Sequence, residues 1–273
     1  MTKTHIIYIP FTGVGKHQYK GDDWFRDRIE IFKNYTLKSL LNQTNQDFVL
    51  WLSFRSEDWE NPICNKFVKE LQDLLGENRV CTSYNGLIYW DDKRDKTIEA
   101  SKLRLTSSLI RLSLKWFCDI TVRDNDVFTS NCVDWVYLTR IDSDDMFHKD
   151  VVQLIQDQEP FEGALTLSLG TIYNKDTGEV AEWNPLTNPP FHTLMFKWET
   201  FFDPDKHLAL YEGFKSHEDI AKLKHKVLWR GDNRQDRLYC VLTHNPAMHI
   251  STTWDHPFKG KPINKEVLKD YGI

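Results

Sequence analysis

Short apolar runs alternate with longer stretches of helical period along the first half of the chain. Ile6-Ile7-Tyr8-Ile9 is a β-rich run stopped by Pro10 and followed by a loop with Gly13 and Gly15, which reads as a buried strand opening into a glycine-containing turn. From about Trp24 to Gln43, Phe25, Ile29, Phe32, Leu37, Leu40 and Leu41 fall mostly at helical spacing, and Phe48 to Leu52 returns to strand. That is a β-α-β unit. A helix over Asn65 to Leu75 has Gly76 as its natural stop, and Arg79 to Ser83 forms a third strand. Between Thr97 and Phe117, Ile98, Leu105, Leu109, Leu112 and Trp116 lie near one face of a long helix. Trp135 to Ile141 is then a strand that runs directly into Asp142-Ser143-Asp144-Asp145, with a helix after it at about Lys149 to Gln156.

This alternation predicts an α/β fold with a mostly parallel central sheet covered by helices, whose ligands gather beyond the carboxyl ends of the strands. The acidic cluster sits at such an end. After it the pattern becomes richer in strand: Ala164 to Tyr173 and Glu179 to Trp183 read as a hairpin around Asp176-Thr177-Gly178, and Asn184 to Pro190 is a loop. No linker rich in Gly or Ser divides the chain. The expectation is therefore one domain over residues 1–256, with a Rossmann-like half over about 1–145 and a more β-rich half over about 146–256. The polar segment 257–273 is expected to be peripheral.

Composition narrows the function classes. A hydrophobic share of 40% and a charged share of 27% in 273 residues suit a globular chain with a sizeable core. With 35 basic against 40 acidic residues, there is no basic excess to mark a nucleic acid or an anionic membrane as partner. The five cysteines, Cys64, Cys81, Cys118, Cys132 and Cys240, are odd in number and never spaced as CxxC, which argues against a disulfide framework and a zinc ribbon. No apolar run approaches the length of a spanning helix or resembles a signal peptide, so a reducing cytoplasmic location is expected. The 13% of aromatic residues, ten of them Trp, read first as core filling and second as a saccharide-binding surface.

The acidic cluster carries the chemistry. Two carboxylates one residue apart, on a chain leaving a sheet, can share a hard cation such as Mg2+ or Mn2+ with diphosphate oxygens. A cation there would neutralise the charge that develops when a sugar–diphosphate bond breaks. The same residues would serve as an acidic cap for the following helix. A calcium loop is excluded, because Met146, Phe147 and Gln153 stand where its ligands and glycine belong. An aspartyl phosphatase, with Asp142 as nucleophile and Asp144 as acid/base, is a minor rival. Ser216-His217-Glu218-Asp219 is either a capping box or a source of a carboxylate base at a helix start. His244, His249 and His256 show no zinc spacing, although one of them could complete a metal shell. Gly13-Val14-Gly15-Lys16 is not a Walker loop, since Pro10 and His17 replace required residues.

Taken together the pattern resembles a glycosyltransferase of the GT-A type. RIEIFKNYTLKSLLNQTNQDFVLWLSF, YLTRIDSDDMFHKDVV and LYCVLTHNPAMHIS resemble, in that order, blocks of the family named "putative rhamnosyltransferase". The resemblance implies a GT-A-like fold and transfer of a sugar from a nucleotide-diphosphate donor to a glycan or other hydroxyl acceptor, and an inverting transfer is the expected course. It implies that Asp142 and Asp144 contact donor and metal, with Asp145 a further ligand. Asp219 would be the base, with Glu218 as its alternate, and His244 or His249 would complete the metal site. Pro10, Phe11 and Thr12 would border the nucleotide, and Trp183 with the Asn184 to Pro190 loop would face the acceptor. The donor would be a nucleotide-diphosphate sugar and the cofactor Mn2+ or Mg2+; rhamnose comes with the resemblance alone. The competing class is a non-catalytic carbohydrate- or nucleotide-binding protein on the same scaffold.

Overall fold

The computed structural model describes residues 2–12, 21–84, 120–123, 126–129, 133–185, 191–209, 217–228, 237–243 and 252–273. The first strand, β1 (Lys3–Pro10), is buried from His5 onward, as a central parallel strand covered on both faces must be. The chain continues through α1 (Asp22–Asn34), α2 (Thr36–Leu41), β2 (Val49–Ser53), α3 (Pro62–Leu75) and β3 (Val80–Ser83). A small hairpin, β4 (Ile120–Arg123) and β5 (Asp126–Thr129), precedes β6 (Trp135–Arg140). Then come β7 (Met146–Phe147), α4 (Val151–Gln156), β8 (Gly163–Leu167), β9 (Gly170–Asn174), β10 (Val180–Trp183) and β11 (His192–Lys197). The remaining elements are α5 (Trp198–Phe201), α6 (Pro204–Ala209), β12 (His225–Leu228), β13 (Tyr239–Thr243) and β14 (Lys259–Pro262).

The main sheet has the order β12-β8-β11-β6-β1-β2-β3. All of its strands run in one direction except β11, which is antiparallel to both neighbours. This is the expected α/β architecture. A second sheet, β14-β10-β9-β13-β7, is antiparallel apart from the β9·β13 pair. One face of the main sheet is covered by α1 and α3 through Phe25, Ile29, Phe32, Phe67 and Leu71, and the same cluster takes in Ile172, Ala181 and Val241 of the second sheet. The other face packs Ile6, Trp51, Val136 and Leu138 against Phe201 and Ile220.

Several expected elements change at their ends for identifiable reasons. The helix expected over about 24–43 is broken at Tyr35, whose backbone leaves the helical region. The break lets α2 reach the chain beyond the acidic cluster: Ser39 Oγ accepts from the Phe147 amide at 3.2 Å, and Gln43 accepts from Val152 at 3.0 Å while donating to the His148 carbonyl at 2.9 Å. Helix α3 starts earlier than expected because Asn61 caps the amides of Ile63 and Cys64 and Pro62 pre-sets the first turn. The expected strand from Ala164 to Tyr173 is two strands, β8 in the main sheet and β9 in the second. Gly170 opens β9 where a side chain would overlap the Tyr239 ring. The hairpin around Asp176-Thr177-Gly178 is formed by β9 and β10.

The segment 257–273 is not peripheral. Strand β14 pairs with β10, and the following 3-10 turn, Lys265–Tyr271, inserts Tyr271 so that no part of it is exposed. The Tyr271 hydroxyl reaches the Arg237 carbonyl at 3.0 Å and the Tyr239 carbonyl at 3.2 Å. A composition rich in lysine hid this anchoring, because two buried residues, Leu268 and Tyr271, do the packing. The helix expected over Thr97 to Phe117 and the Gly13 to Lys16 loop lie outside the described residues. Among the described residues no helix is long and apolar enough to cross a membrane. Tyr271→Ala is expected to lower unfolding free energy by about 3 to 5 kcal/mol, the cost of emptying a buried aromatic site, with chemical denaturation as the measurement.

Candidate functional site

The acidic turn joins the two sheets. Strand β6 ends at Arg140, the Ile141 amide still bonds to the Tyr8 carbonyl at 3.1 Å, and the chain then reverses, the Asp145 amide meeting the Asp142 carbonyl at 3.2 Å. It leaves as β7, the edge strand of the second sheet, paired with Tyr239 and Cys240 of β13. The cluster is therefore not a helix cap, since β7 intervenes and α4 begins only at Val151 after Asp150.

Each carboxylate has a different partner. Asp144 is gripped by Arg28 of α1 in a two-pronged fork, Nη1 to Oδ2 at 2.7 Å and Nη2 to Oδ1 at 3.1 Å, while Arg28 Nε donates to Ser143 Oγ at 2.8 Å. Both side chains are about nine-tenths buried. Asp145 accepts from the Leu242 amide of β13 at 3.1 Å, taking a donor just beyond the last pair of the β7·β13 ladder. Asp142 is the exposed member, with 29% of its side chain accessible, and its Oδ1 accepts from Arg140 Nη2 at 2.9 Å and Nε at 3.3 Å. Burial pushes the Asp145 carboxyl well above the ordinary aspartate range, and the charges of Asp144 and Asp142 push it further; the Leu242 amide and Arg28 oppose this without offsetting it.

A second polar group stands at the same edge of the sheet, where β1 and β2 end. Thr12 donates to Asp58 Oδ2, and Asp58, which is buried, also accepts from the Arg55 amide at 3.2 Å and from its guanidinium Nη2 at 3.1 Å. Thr12 thus belongs to a built cluster, whereas the Phe11 ring is spent in the core among Phe25, Phe32, Phe54 and Phe67, with centroids 5.0 to 6.0 Å away. Pro10 closes β1 in register with Ser53. Pro10 and Phe11 are both buried, and the Phe11 amide donates to the Ser53 carbonyl at 2.9 Å.

The other expected site residues are distributed less tightly. Glu218 and Asp219 fall in a 3-10 turn, His217–Lys222, in place of the expected helix, and the side chains of 217–219 lie outside the described residues, as do Ser216, His244 and His249. The turn is anchored by Ile220 on the sheet face opposite α1 and leads into β12 at its amino end, where the Ala164 amide meets the Lys224 carbonyl at 2.9 Å. That is the end of the sheet away from the acidic turn, because β12 and β6 run the same way. Trp183 has its ring packed against His256 and Phe258 at 4.7 and 5.6 Å and is buried, so it offers no face for sugar stacking.

Sequence reasoning missed Arg28, Asp58 and Arg140. A signal for Arg28 was present: Phe25, Arg28, Ile29 and Phe32 occupy the i, i+3, i+4, i+7 positions of one helix face, so an arginine stands in an apolar stripe and needs a buried partner. Asp58 and Arg140 carry no comparable mark.

The chemistry of the acidic turn suits a hard cation, with oxygen donors only and a desolvated Asp145 that accepts one hydrogen bond. Its arrangement is incomplete: among the described residues no three Asp, Glu, His or Cys side chains converge as a metal-binding group.

Residues 16–79 match the model of the family described as "Putative rhamnosyl transferase", a stretch that holds Arg28 and Asp58 and stops before the acidic turn. Among solved structures, the chain is similar to the "putative nucleotide-diphospho-sugar transferase" of Desulfovibrio desulfuricans G20, with 14% identity and a TM-score of 0.36 over 84% of this chain and 80% of that one. It is also similar to the glycosyltransferase GlyE of Streptococcus pneumoniae TIGR4, with 12% identity and a TM-score of 0.37 over 84% of this chain and 45% of that one. No curated protein sequence matches the chain.

The raised Asp145 carboxyl has a sign that can be checked. In the unfolded chain it ionises near the ordinary value of about 3.9, so above that pH folding takes up a proton and stability falls as pH rises toward the folded-state value. Asp145→Asn keeps an acceptor for Leu242 and removes the buried charge. Its melting temperature in chelator is expected to match or exceed the parent's at pH 8, with a flatter pH slope, as read by calorimetry from pH 4 to 8.

Proposed function

We propose that the chain is a glycosyltransferase that moves a sugar from a nucleotide-diphosphate donor to an acceptor hydroxyl. The observation that carries the reading is an acidic turn at the carboxyl end of a central strand of a mostly parallel sheet, where such folds collect their ligands. The family match over 16–79 supports the same reaction class and favours a rhamnosyl donor.

The finer assignments follow from the partners of each carboxylate. Asp142 and Asp145, which no guanidinium among the described residues grips in a fork, are the proposed ligands of a divalent cation, with Asp144 held beside them by Arg28. Strand β13 brings Leu242 to Asp145 and ends at Thr243, the residue before His244, which makes His244 the preferred further ligand over His249. When bound, such a cation supplies positive charge to the departing diphosphate. Thr12, with Asp58 and Arg55 behind it, forms the proposed wall of the nucleotide site. Asp219 and Glu218 lie in a turn at the end of the sheet away from the acidic turn, so the base that would take the proton of the acceptor hydroxyl as that oxygen attacks the anomeric carbon is not assigned to them.

A second reading has one observation in its favour. Asp144 and Asp145 are both engaged by internal donors, as they would be in a binding protein whose acidic turn is structural.

The two readings separate in a donor-hydrolysis assay. Purified protein with Mn2+ and a panel of nucleotide sugars is expected to release nucleoside diphosphate from one of them. Chelator, or Asp142→Asn, should slow that release by about 100-fold or more, the usual cost of removing transition-state charge stabilisation. Metal-independent glycan binding without any donor hydrolysis would establish the binding protein instead.

A further inference from the structure

His148 lies on the chain between β7 and α4 with its side chain almost wholly buried, and a carboxylate faces each of its ring nitrogens. Asp150 Oδ2 is 3.7 Å from Nδ1, and Asp270 Oδ2, on the C-terminal 3-10 turn, is 3.8 Å from Nε2. The second oxygen of each carboxylate has a structural partner. Thr44 Oγ1 donates to Asp150 Oδ1 at 3.2 Å, and Lys149 Nζ meets Asp270 Oδ1 at 2.7 Å. Among the described contacts, the titratable groups around the ring are therefore Lys149 and Asp150 on its own stretch and Asp270 and Tyr271 on the C-terminal turn, the Tyr271 ring standing edge-on at 5.9 Å. The other neighbours are neutral: Gln43 of α2 donates to the His148 carbonyl, and the Leu238 carbonyl accepts from the His148 amide.

The Asp150 amide donates to Nδ1 at 3.2 Å, so a neutral ring carries its proton on Nε2 and points it at Asp270 across a gap longer than a hydrogen bond. A second proton, on Nδ1, would exchange that amide contact for Asp150 Oδ2 and set a full positive charge between two carboxylates. Burial alone opposes such a charge: His5, bonded to a hydroxyl and an amide, and His207, bonded to a carbonyl, are pushed down by it to about 3 and about 4. His148 stands in a different setting. Asp150 and Asp270 keep 22% and 35% of their side chains exposed, and two opposite charges within 4 Å favour the imidazolium. The contact also joins two distant pieces of chain. The C-terminal turn docks here through the Lys149 amide on the Asp270 carbonyl at 2.8 Å, and one residue on through the Tyr271 hydroxyl at the Arg237 and Tyr239 carbonyls.

We propose that His148 is a proton-operated latch for the C-terminal turn: as imidazolium it bridges Asp150 and Asp270 and clamps residues 265–273 against the chain leaving β7, and on losing its proton it lets that turn open more readily. The latch is independent of the glycosyltransferase reading. Its sign follows from linkage. A histidine whose charged form is favoured by folding adds stability below the unfolded value of about 6.5, and the gain is lost as pH rises through the folded-state value. The turn that loosens is tied to β13, the strand whose Leu242 amide meets Asp145.

The test uses the full chain between about pH 5.5 and about pH 8.5. Nuclear magnetic resonance follows the His148 ring, and amide hydrogen exchange, corrected for the intrinsic effect of pH, follows residues 265–273. The ring is expected to titrate above about 6.5, and protection of the turn's amides to fall by about tenfold through that midpoint, since one pKa unit corresponds to a factor of ten. His148→Gln, neutral at every pH, should hold protection near the parent's high-pH level without the step. Asp270→Asn removes one carboxylate from a partly exposed side chain and should lower the midpoint, which reads the bridge even if His148→Gln fails to fold. Asp145→Asn should keep the step, separating the latch from the pH dependence of that buried carboxyl. A parent midpoint below the free value, an unmoved midpoint in Asp270→Asn, a step that survives in His148→Gln or one lost in Asp145→Asn would overturn the proposal.

Discussion

A buried guanidinium ties the first helix of this protein to the turn at which its two sheets meet. Burying an arginine and an aspartate together costs both their hydration, and the fork offsets that cost only because its geometry is closed on both sides and Nε has its own acceptor in Ser143. Removing either partner would strand a charge in the core, at a cost of about 3 to 5 kcal/mol. The turn between β6 and β7 is thus held in a single shape by a residue more than a hundred positions away in sequence. Two further ties act on the same stretch, the Leu242 amide on Asp145 and Ser39 on the Phe147 amide.

Those ties explain how a three-aspartate turn persists at a protein edge. Like charges on adjacent residues repel, and burial first and that repulsion second raise the Asp145 carboxyl. Arg28 and Arg140 each meet one neighbour, while Asp145 is met by a neutral amide. What remains is a turn whose buried members are internally bonded and whose exposed member, Asp142, is poised at the carboxyl edge of the sheet. A second built group, Thr12 with Asp58 and Arg55, stands at the same edge, so the chemistry of this face is contributed by the ends of β1, β2 and β6.

Much of the main sheet was legible from periodicity, because strands buried on both faces read as continuous apolar runs and α1 and α3 carry one apolar face each. Run-based reading could not see a change of sheet, and so Ala164 to Tyr173 looked like one strand where the chain passes from one sheet to the other at Gly170. Nor could it see the break at Tyr35, since Leu37 and Leu40 keep a nearly helical spacing while the axis turns toward the chain beyond β7. The C-terminal segment misled for a different reason: its lysines and acids are the solvated side of a piece whose anchoring depends on two residues, Leu268 and Tyr271.

The sequence by itself determined the sheet-forming runs, the placement of Asp142, Asp144 and Asp145 after a central strand, and the reaction class that such a placement suggests. These are local properties, set by the period of apolar residues and by chemistry carried on consecutive positions. Only the tertiary structure decided which aspartate is clamped, which is buried against an amide and which is left open. It also decided that Phe11 and Trp183 belong to the packing. Those outcomes depend on partners such as Arg28, Leu242 and His256, brought close by the packing of helices on the sheet and of one sheet beside the other, and distances of that kind leave no pattern in a linear order of residues.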